Sequence, residues 1–173
     1  MKKFKFSTDK KIYPLKEGFV VIKLAEDYFG THYDKEQAKI TKERGIWIHD
    51  NLPDCLNIIK CNNEVIGFTF ILPATKLLMK KFIMHKINEE QLFKKVQNLI
   101  NFKNFETLYL CSAFIKPEFR GKGLATKGFT KSIKKITKNK QKPTLFYWAY
   151  SKEGNKLALK IAKLTKLKIK KRN

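Results

Sequence analysis

The segment Arg120-Gly-Lys-Gly-Leu-Ala-Thr126 combines a guanidinium, two glycines and the start of a helical pattern, a combination suited to holding an anion. An apolar, β-like run from Thr107 to Ile115 precedes it, and Phe129, Ile133 and Ile136 follow at helical spacing. A strand, a glycine-bearing turn and a helix start aim several backbone N–H groups the same way. The helix start adds unpaired donors and a partial positive charge. Gly121 and Gly123 carry no β-carbon to keep a phosphate from the main chain. Two common phosphate loops fit poorly. A nucleotide-triphosphate loop needs Lys and then Ser or Thr after its second glycine, whereas Gly128 is followed by Phe129; a dinucleotide fingerprint needs a glycine where Thr126 stands.

The spacing that does fit is Arg120-x-x-Gly123-x-Ala125, placed after Ile115-x-Pro117-Glu118-Phe119 and between strand and helix. It resembles the Arg/Gln-x-x-Gly-x-Gly/Ala signature of the GNAT superfamily of acyl-CoA-dependent N-acetyltransferases. The resemblance spans about residues 17–167 and is best marked over 107–136. It implies an α/β (α+β) fold, with a central mixed, mostly antiparallel sheet flanked by helices in a single domain over residues 1–173. It implies acetyl-CoA as cosubstrate and direct transfer to a bound amine, without a covalent enzyme intermediate or a metal. Ala113, Phe114 and Ile115 would then end a fourth strand whose backbone bonds the pantetheine and thioester. Arg120, Gly121, Lys122, Gly123, Leu124, Ala125 and Thr126 would hold the pyrophosphate, and Asn155 would touch the cofactor. A V-shaped splay between strands four and five would leave a slot between Ala113–Ile115 and Trp148–Tyr150.

The sequence also departs from that pattern. Ala162 stands where relatives often carry the tyrosine that protonates the departing thiolate, and Lys166-Leu167 replaces a Gly-Phe. Only Thr165–Asn173 follow the last helix, enough for one strand, so the C-terminal hairpin is shortened. An alkyl ammonium, with a pKa near ~10.4, must lose a proton before it can attack a thioester. Tyr109 stands where some relatives place a glutamate. Glu106 is the candidate base, or else an exposed strand end. Tyr150 and Tyr147 are candidate acids, or else structural tyrosines. The backbone N–H of Ile115 is a candidate oxyanion donor.

Charge frames the choice of partner. The net charge is +23, yet the basic residues are lysines except for Arg44, Arg120 and Arg172. A nucleic-acid reader would be expected to use more arginine for bidentate contacts, so an RNA- or DNA-binding module is the alternative of another class. Residues 1–64 hold 12 basic and 10 acidic residues, whereas residues 65–173 hold 26 and 5. The phosphate turn, with Lys116, Lys122, Lys127 and Lys131, therefore sits in the positive part. Glu26, Asp27, Asp34, Glu36 and Glu43 mark the one stretch able to offer an acidic entrance to a cationic small-molecule or protein amine. Cys55, Cys61 and Cys111 suit reduced thiols in a cytoplasmic protein, and they form no metal spacing with His32, His49 and His85. No apolar stretch nears the ~20 residues of a membrane span, and there is no apolar signal core. Homodimerisation is left open.

These residues need elements to position them. Phe19–Leu24 reads as a first strand and Asp34–Trp47 as a helix. Cys55–Ile59 and Val65–Leu72 read as strands of a hairpin joined across Cys61-Asn-Asn63, the second closed by Pro73. Residues 74–87 suit either a packed helix or a lid. Asn88-Glu-Glu-Gln starts a helix carrying Leu92, Phe93, Val96, Leu99 and Ile100. Thr144–Tyr150 reads as a strand, and Asn155 opens a helix with Leu157, Ile161, Leu164 and Lys168 on one side. The cationic tail 152–172 fits a packed helix with a lysine-rich outer face, or a surface for membrane or RNA.

Overall fold

Alternation along apolar strands decides which helices cover which face of the sheet. The computed structural model describes residues 3–30, 34–99, 104–138 and 141–173. Its six strands are β1 (Phe4–Phe6), β2 (Leu56–Cys61), β3 (Glu64–Ala74), β4 (Thr107–Ile115), β5 (Thr144–Trp148) and β6 (Ile169–Arg172). They lie in one sheet in chain order. β1 to β4 are antiparallel neighbours, and β5 and β6 join parallel. Six helices flank them: α1 (Leu15–Phe29), α2 (Lys42–Asn51), α3 (Lys76–Ile83), α4 (Glu89–Gln97), α5 (Leu124–Thr137) and α6 (Lys152–Thr165).

Leu56, Ile58, Phe68, Phe70, Leu72, Tyr109 and Phe146 face one way and pack with buried side chains of α1 to α4. Ile71, Leu108, Leu110, Leu145 and Tyr147 face the other way and pack against α5 and α6. The result is a sheet between two helical layers, as residues of period two with one apolar set per face require. The hairpin forms where expected: Asn62 and Asn63 have φ of 48° and 69°, the pair of left-handed residues that a two-residue turn between twisted strands demands. Among the described residues a single strand, β6, follows α6.

Several sequence expectations give way. Residues 19–24 belong to helix α1, not a strand. The buried Gly18, Val21 and Ala25 recur at helical spacing, and Gly30 closes the helix in the left-handed conformation. The helix expected from Asp34 begins only at Lys42, capped by Thr41, because Asp34 accepts bonds from the Glu36 N–H and the Gln37 amide and holds a turn. Pro73 does not end β3. The Ile71 N–H bonds Cys55 on the β2 side, and two residues later β2 is no longer alongside, so proline forfeits no ladder bond. Residues 76–83 form a packed helix with Leu78, Met79 and Phe82 buried. α6 starts at Lys152 under a Ser151 cap, so Asn155 lies inside it, Leu164 is exposed and Lys168 is beyond it. Ile100 and His32 lie outside the described residues.

Candidate active site

The turn after β4 has a shape that could receive an anion. Gly121 and Gly123 have φ of 76° and 68°, and a β-carbon at either would meet no atom within 4 Å. Glycine is thus needed for backbone shape, and the space beside it stays clear for a ligand. α5 runs for 14 residues from Leu124 with no side-chain cap, and its first helical bond joins the Lys127 N–H to the Gly123 carbonyl. The N–H groups of Leu124, Ala125 and Thr126 consequently face outward with the positive end of the helix dipole. Arg120 braces the turn from behind, its Nε donating to the Ile115 carbonyl at 2.8 Å.

Beside this turn β4 parts from β5. Their pairing covers Thr107–Leu110 against Thr144–Tyr147 and stops there. At the same point the β3 register slips: Phe70 faces Ser112 but Ile71 faces Leu110, leaving Cys111 as an extra residue. Such a bulge bends its strand and re-aims the residues after it. The Lys116 N–H bonds Ile66 on the β3 side, so by alternation Ala113 and Ile115 aim their N–H groups the other way, toward the gap. A cleft of about 460 Å³ fills that gap, lined by Cys111–Ile115 on one wall and Trp148–Ser151 on the other, and reaching Arg120 and Ala125.

A second cavity, of about 90 Å³, lies between α1, α2 and the sheet, and it shares Phe29, Cys111, Ser112 and Tyr150 with the cleft. Its walls are mostly apolar, with Gln37, Lys39, Arg44, Ser112 and Tyr150 among them, and its one carboxylate is Glu89, which the first turn of α4 delivers from outside the sheet. Glu89 is only 7 % exposed. Its Oε1 accepts from the Tyr109 hydroxyl at 2.6 Å and its Oε2 from the Ala38 N–H at 2.8 Å. Burial pushes its pKa above the usual carboxylate range, while the Tyr109 and Ala38 donors pull it back. Burial also raises the Tyr109 phenol and the Cys111 thiol, with the Glu89 charge adding to both. Cys111 is therefore a protonated thiol and a poor nucleophile. Tyr150 is 57 % exposed at the mouth shared by the two cavities. Its phenol pKa is likewise raised by burial, then by Glu89 and Asp34, so the hydroxyl keeps its proton.

A family model described as Acetyltransferase (GNAT) family matches residues 20–164, most of the chain. The chain belongs to the GNAT acetyltransferase family. A solved aminoglycoside acetyltransferase, meta-AAC0020 from an uncultured soil metagenomic sample in complex with trehalose, aligns with a TM-score of 0.51 at 13% identity, covering 95% of this chain and 87% of that one. The same protein in complex with sisomicin gives 0.49 at 14% identity, covering 95% and 87%. Diaminobutyrate acetyltransferase EctA from Paenibacillus lautus, in complex with L-2,4-diaminobutyric acid and coenzyme A, gives 0.47 at 14% identity over 77% of this chain, which spans 58% of EctA. At 13% identity the first of these likenesses is one of fold. No curated protein matches the chain.

Within this GNAT frame the expected residues fall into two groups. Ala113, Phe114, Ile115, Arg120 and Ala125 line the cleft with Tyr150, and Gly121, Gly123, Leu124 and Thr126 line the hollow at the turn. Lys122 stands exposed on that turn. Asn155 accepts the Tyr147 hydroxyl at 2.8 Å, so each occupies the other. Glu106 is not brought to the site: it stands just before β4, does not line the cleft, and pairs with Lys76 at 3.3 Å while accepting that residue's N–H. Those bonds lower its pKa, which makes it a weaker base. None of Glu26, Asp27, Asp34, Glu36 and Glu43 lines the 90 Å³ cavity. Glu36 bonds Arg172 at 3.2 Å, and Glu43 bonds its own helix start. The carboxylate that does line the cavity comes from the basic part of the chain. In sequence Glu89 looks only like a helix-start acid after Asn88; the signal available was its place among the 5 acids of residues 65–173. Among the described residues no group of three or more His, Cys, Asp or Glu side chains could hold a metal ion, and no helix is long and apolar enough to cross a membrane.

Proposed function

We propose that this chain is an N-acetyltransferase that moves the acetyl group of acetyl-CoA directly to a primary amine. The observation that carries this reading is the meeting of two cavities at the Cys111 bulge, one open to an anion-binding turn and the other containing a buried carboxylate. Acetyl-CoA supplies the activated acyl group. The turn Arg120–Thr126 receives its pyrophosphate through backbone N–H groups, and the strand end Ala113–Ile115 receives the pantetheine along the unpaired edge of β4. The thioester then lies near Cys111 and Ser112, within reach of an amine in the apolar cavity.

Each chemical requirement has a group. Glu89 accepts the proton that makes the amine nucleophilic, its raised pKa favouring that role. The Ile115 or Ala113 N–H supports the oxyanion as the N–C bond forms. Tyr150, protonated and at the junction, donates a hydrogen bond to the sulfur as the C–S bond breaks. The Cys111 thiol, kept protonated, supports attack by the amine itself rather than by the enzyme. The test is free-thiol release from acetyl-CoA across a panel of primary amines, with mass detection of the acetylated product. Amine-dependent thiol release is expected. Tight acetyl-CoA binding without release for any amine would instead mark a catalytically silent CoA-binding relative.

A further inference from the structure

The surroundings of Glu89 restrict what can be brought to it. Among the described residues Glu89 makes no ion pair; its Oε1 accepts from the Tyr109 hydroxyl and the Cys111 thiol and its Oε2 from the Ala38 N–H, all neutral donors, which leaves a lone pair over. A buried carboxylate without a cationic partner is costly, and an ammonium group entering the cavity would supply one. Around it the walls are mainly Val21, Ile22, Ile48, Leu56, Phe68 and Phe70, with Gln37, Ser112 and Tyr150 as the neutral polar side chains and no second carboxylate to pair with a second positive charge. Lys39 and Arg44 also line the cavity, where a second ammonium would be repelled. Nor does Arg44 invite a carboxylate, because Glu90 already grips it with two bonds of 2.6 and 2.7 Å. A cavity of about 90 Å³ is smaller than the ~150 Å³ that accommodates benzene, so the body held there is only a few carbons.

We propose that the acceptor is a compact primary amine with one positive charge and an apolar body, and that Glu89 receives its ammonium group. This rests on the acyl-transfer reading above. Glu89 takes one proton from the ammonium, and the freed lone pair forms the N–C bond while the C–S bond breaks. A second proton leaves the nitrogen for the thiolate, and the proton on Glu89 passes to solvent. One ammonium and one acetyl-CoA thus give one amide, one thiol and one proton.

Three amines with the same four-carbon body separate the alternatives: butylamine, putrescine with a second ammonium, and γ-aminobutyrate with a carboxylate. At saturating acetyl-CoA, kcat/KM for butylamine is expected to exceed the other two by about tenfold or more, the discrimination an apolar pocket makes against a buried charge. Glu89→Gln is expected to lower kcat/KM for butylamine by about 100-fold, without changing acetyl-CoA affinity. The titratable and charged groups facing Glu89 are Tyr109 and Cys111 from β4, Tyr150 after β5, Arg172 from β6, and Lys39 and Arg44 across the cavity. None of these titrates as a carboxylate, so the acidic limb of the pH profile should vanish in Glu89→Gln and persist in Glu89→Asp. A preference for putrescine or γ-aminobutyrate, or a Glu89→Gln enzyme with the original pH profile, would overturn the proposal. Should either variant fail to fold, the three-amine comparison on the unaltered protein still decides. Acetyl-CoA binding with no thiol release from any amine would sink the acyl-transfer reading itself and this proposal with it.

Discussion

If Glu89 is the base we propose, burial raises its proton affinity and Tyr109 is the first group to pull it back. The Tyr109 hydroxyl donates to Oε1 at 2.6 Å and stabilises the ionised carboxylate. Tyr109→Phe removes that donor, so the Glu89 pKa should rise further. The acidic limb of kcat/KM should then move up by about one pH unit, the equivalent of one hydrogen bond to a charged group. A limb that stays put or moves down would show that Glu89 is not the titrating base. Stability carries the opposite sign. Because the folded pKa is raised, the stability linked to Glu89 is present below its unfolded pKa and lost as pH rises through the folded one. Glu89→Gln should therefore unfold no more easily than the parent at neutral pH, and chemical denaturation checks this. Little of this was legible in the sequence. Glu89 becomes buried through Tyr109, 20 residues away, and Ala38, 51 away, and no local pattern encodes such contacts. Glu106 was visible as an acid next to the right strand, but sequence spacing does not reveal which end of β4 opens.

At the scale of elements, the proposed site rests on the first turns of α4 and α5. α4 begins with a capping box: Asn88 accepts the Gln91 N–H at 2.8 Å and Gln91 accepts the Asn88 N–H at 3.0 Å. Asn88→Ala should cost about 1 kcal/mol of stability and loosen the hold on Glu89, lowering kcat with little change in acetyl-CoA affinity. Denaturant unfolding and steady-state kinetics together check it; an unchanged midpoint would refute the cap's role. This helix start was readable from Asn88-Glu-Glu-Gln, as the β2–β3 hairpin was from its apolar runs and paired asparagines. The strand misread at Phe19–Leu24 has a physical reason. Val20, Val21 and Ile22 favour strands locally, but only the wider spacing of Gly18, Val21 and Ala25 places one face against the sheet. The turn itself was legible in its chemistry, but not in its tolerance. A valine at Gly123 should still meet a ligand, yet at a φ of 68° it would also strain the backbone, by about 1–3 kcal/mol, so binding and stability would fall together.

For the whole molecule, one continuous sheet under two helical layers leads us to propose a single cooperative domain, which calorimetric unfolding in one transition would bear out. We propose that part of the excess charge serves the turn. Lys116 pairs with Glu64 and Lys131 with Asp9, leaving Lys122 and Lys127 as the cations to draw in a phosphate ligand. A Lys122→Gln, Lys127→Gln variant should bind acetyl-CoA more slowly at low salt and with a flatter salt dependence; an identical salt slope would make those lysines mere solvation. The central claim is that acetyl-CoA docks with its pyrophosphate on the start of α5. Ala125→Glu tests it without backbone strain, because glutamate is favoured in a first helical turn and the residue borders both the cleft and the hollow at the turn. Isothermal calorimetry of acetyl-CoA into the parent and this variant is the direct measurement. Saturable one-to-one binding to the parent and loss of at least about 100-fold in affinity for a variant that still folds are expected, since a carboxylate replaces a site for anions. Equal affinities in the two folded proteins would contradict the account.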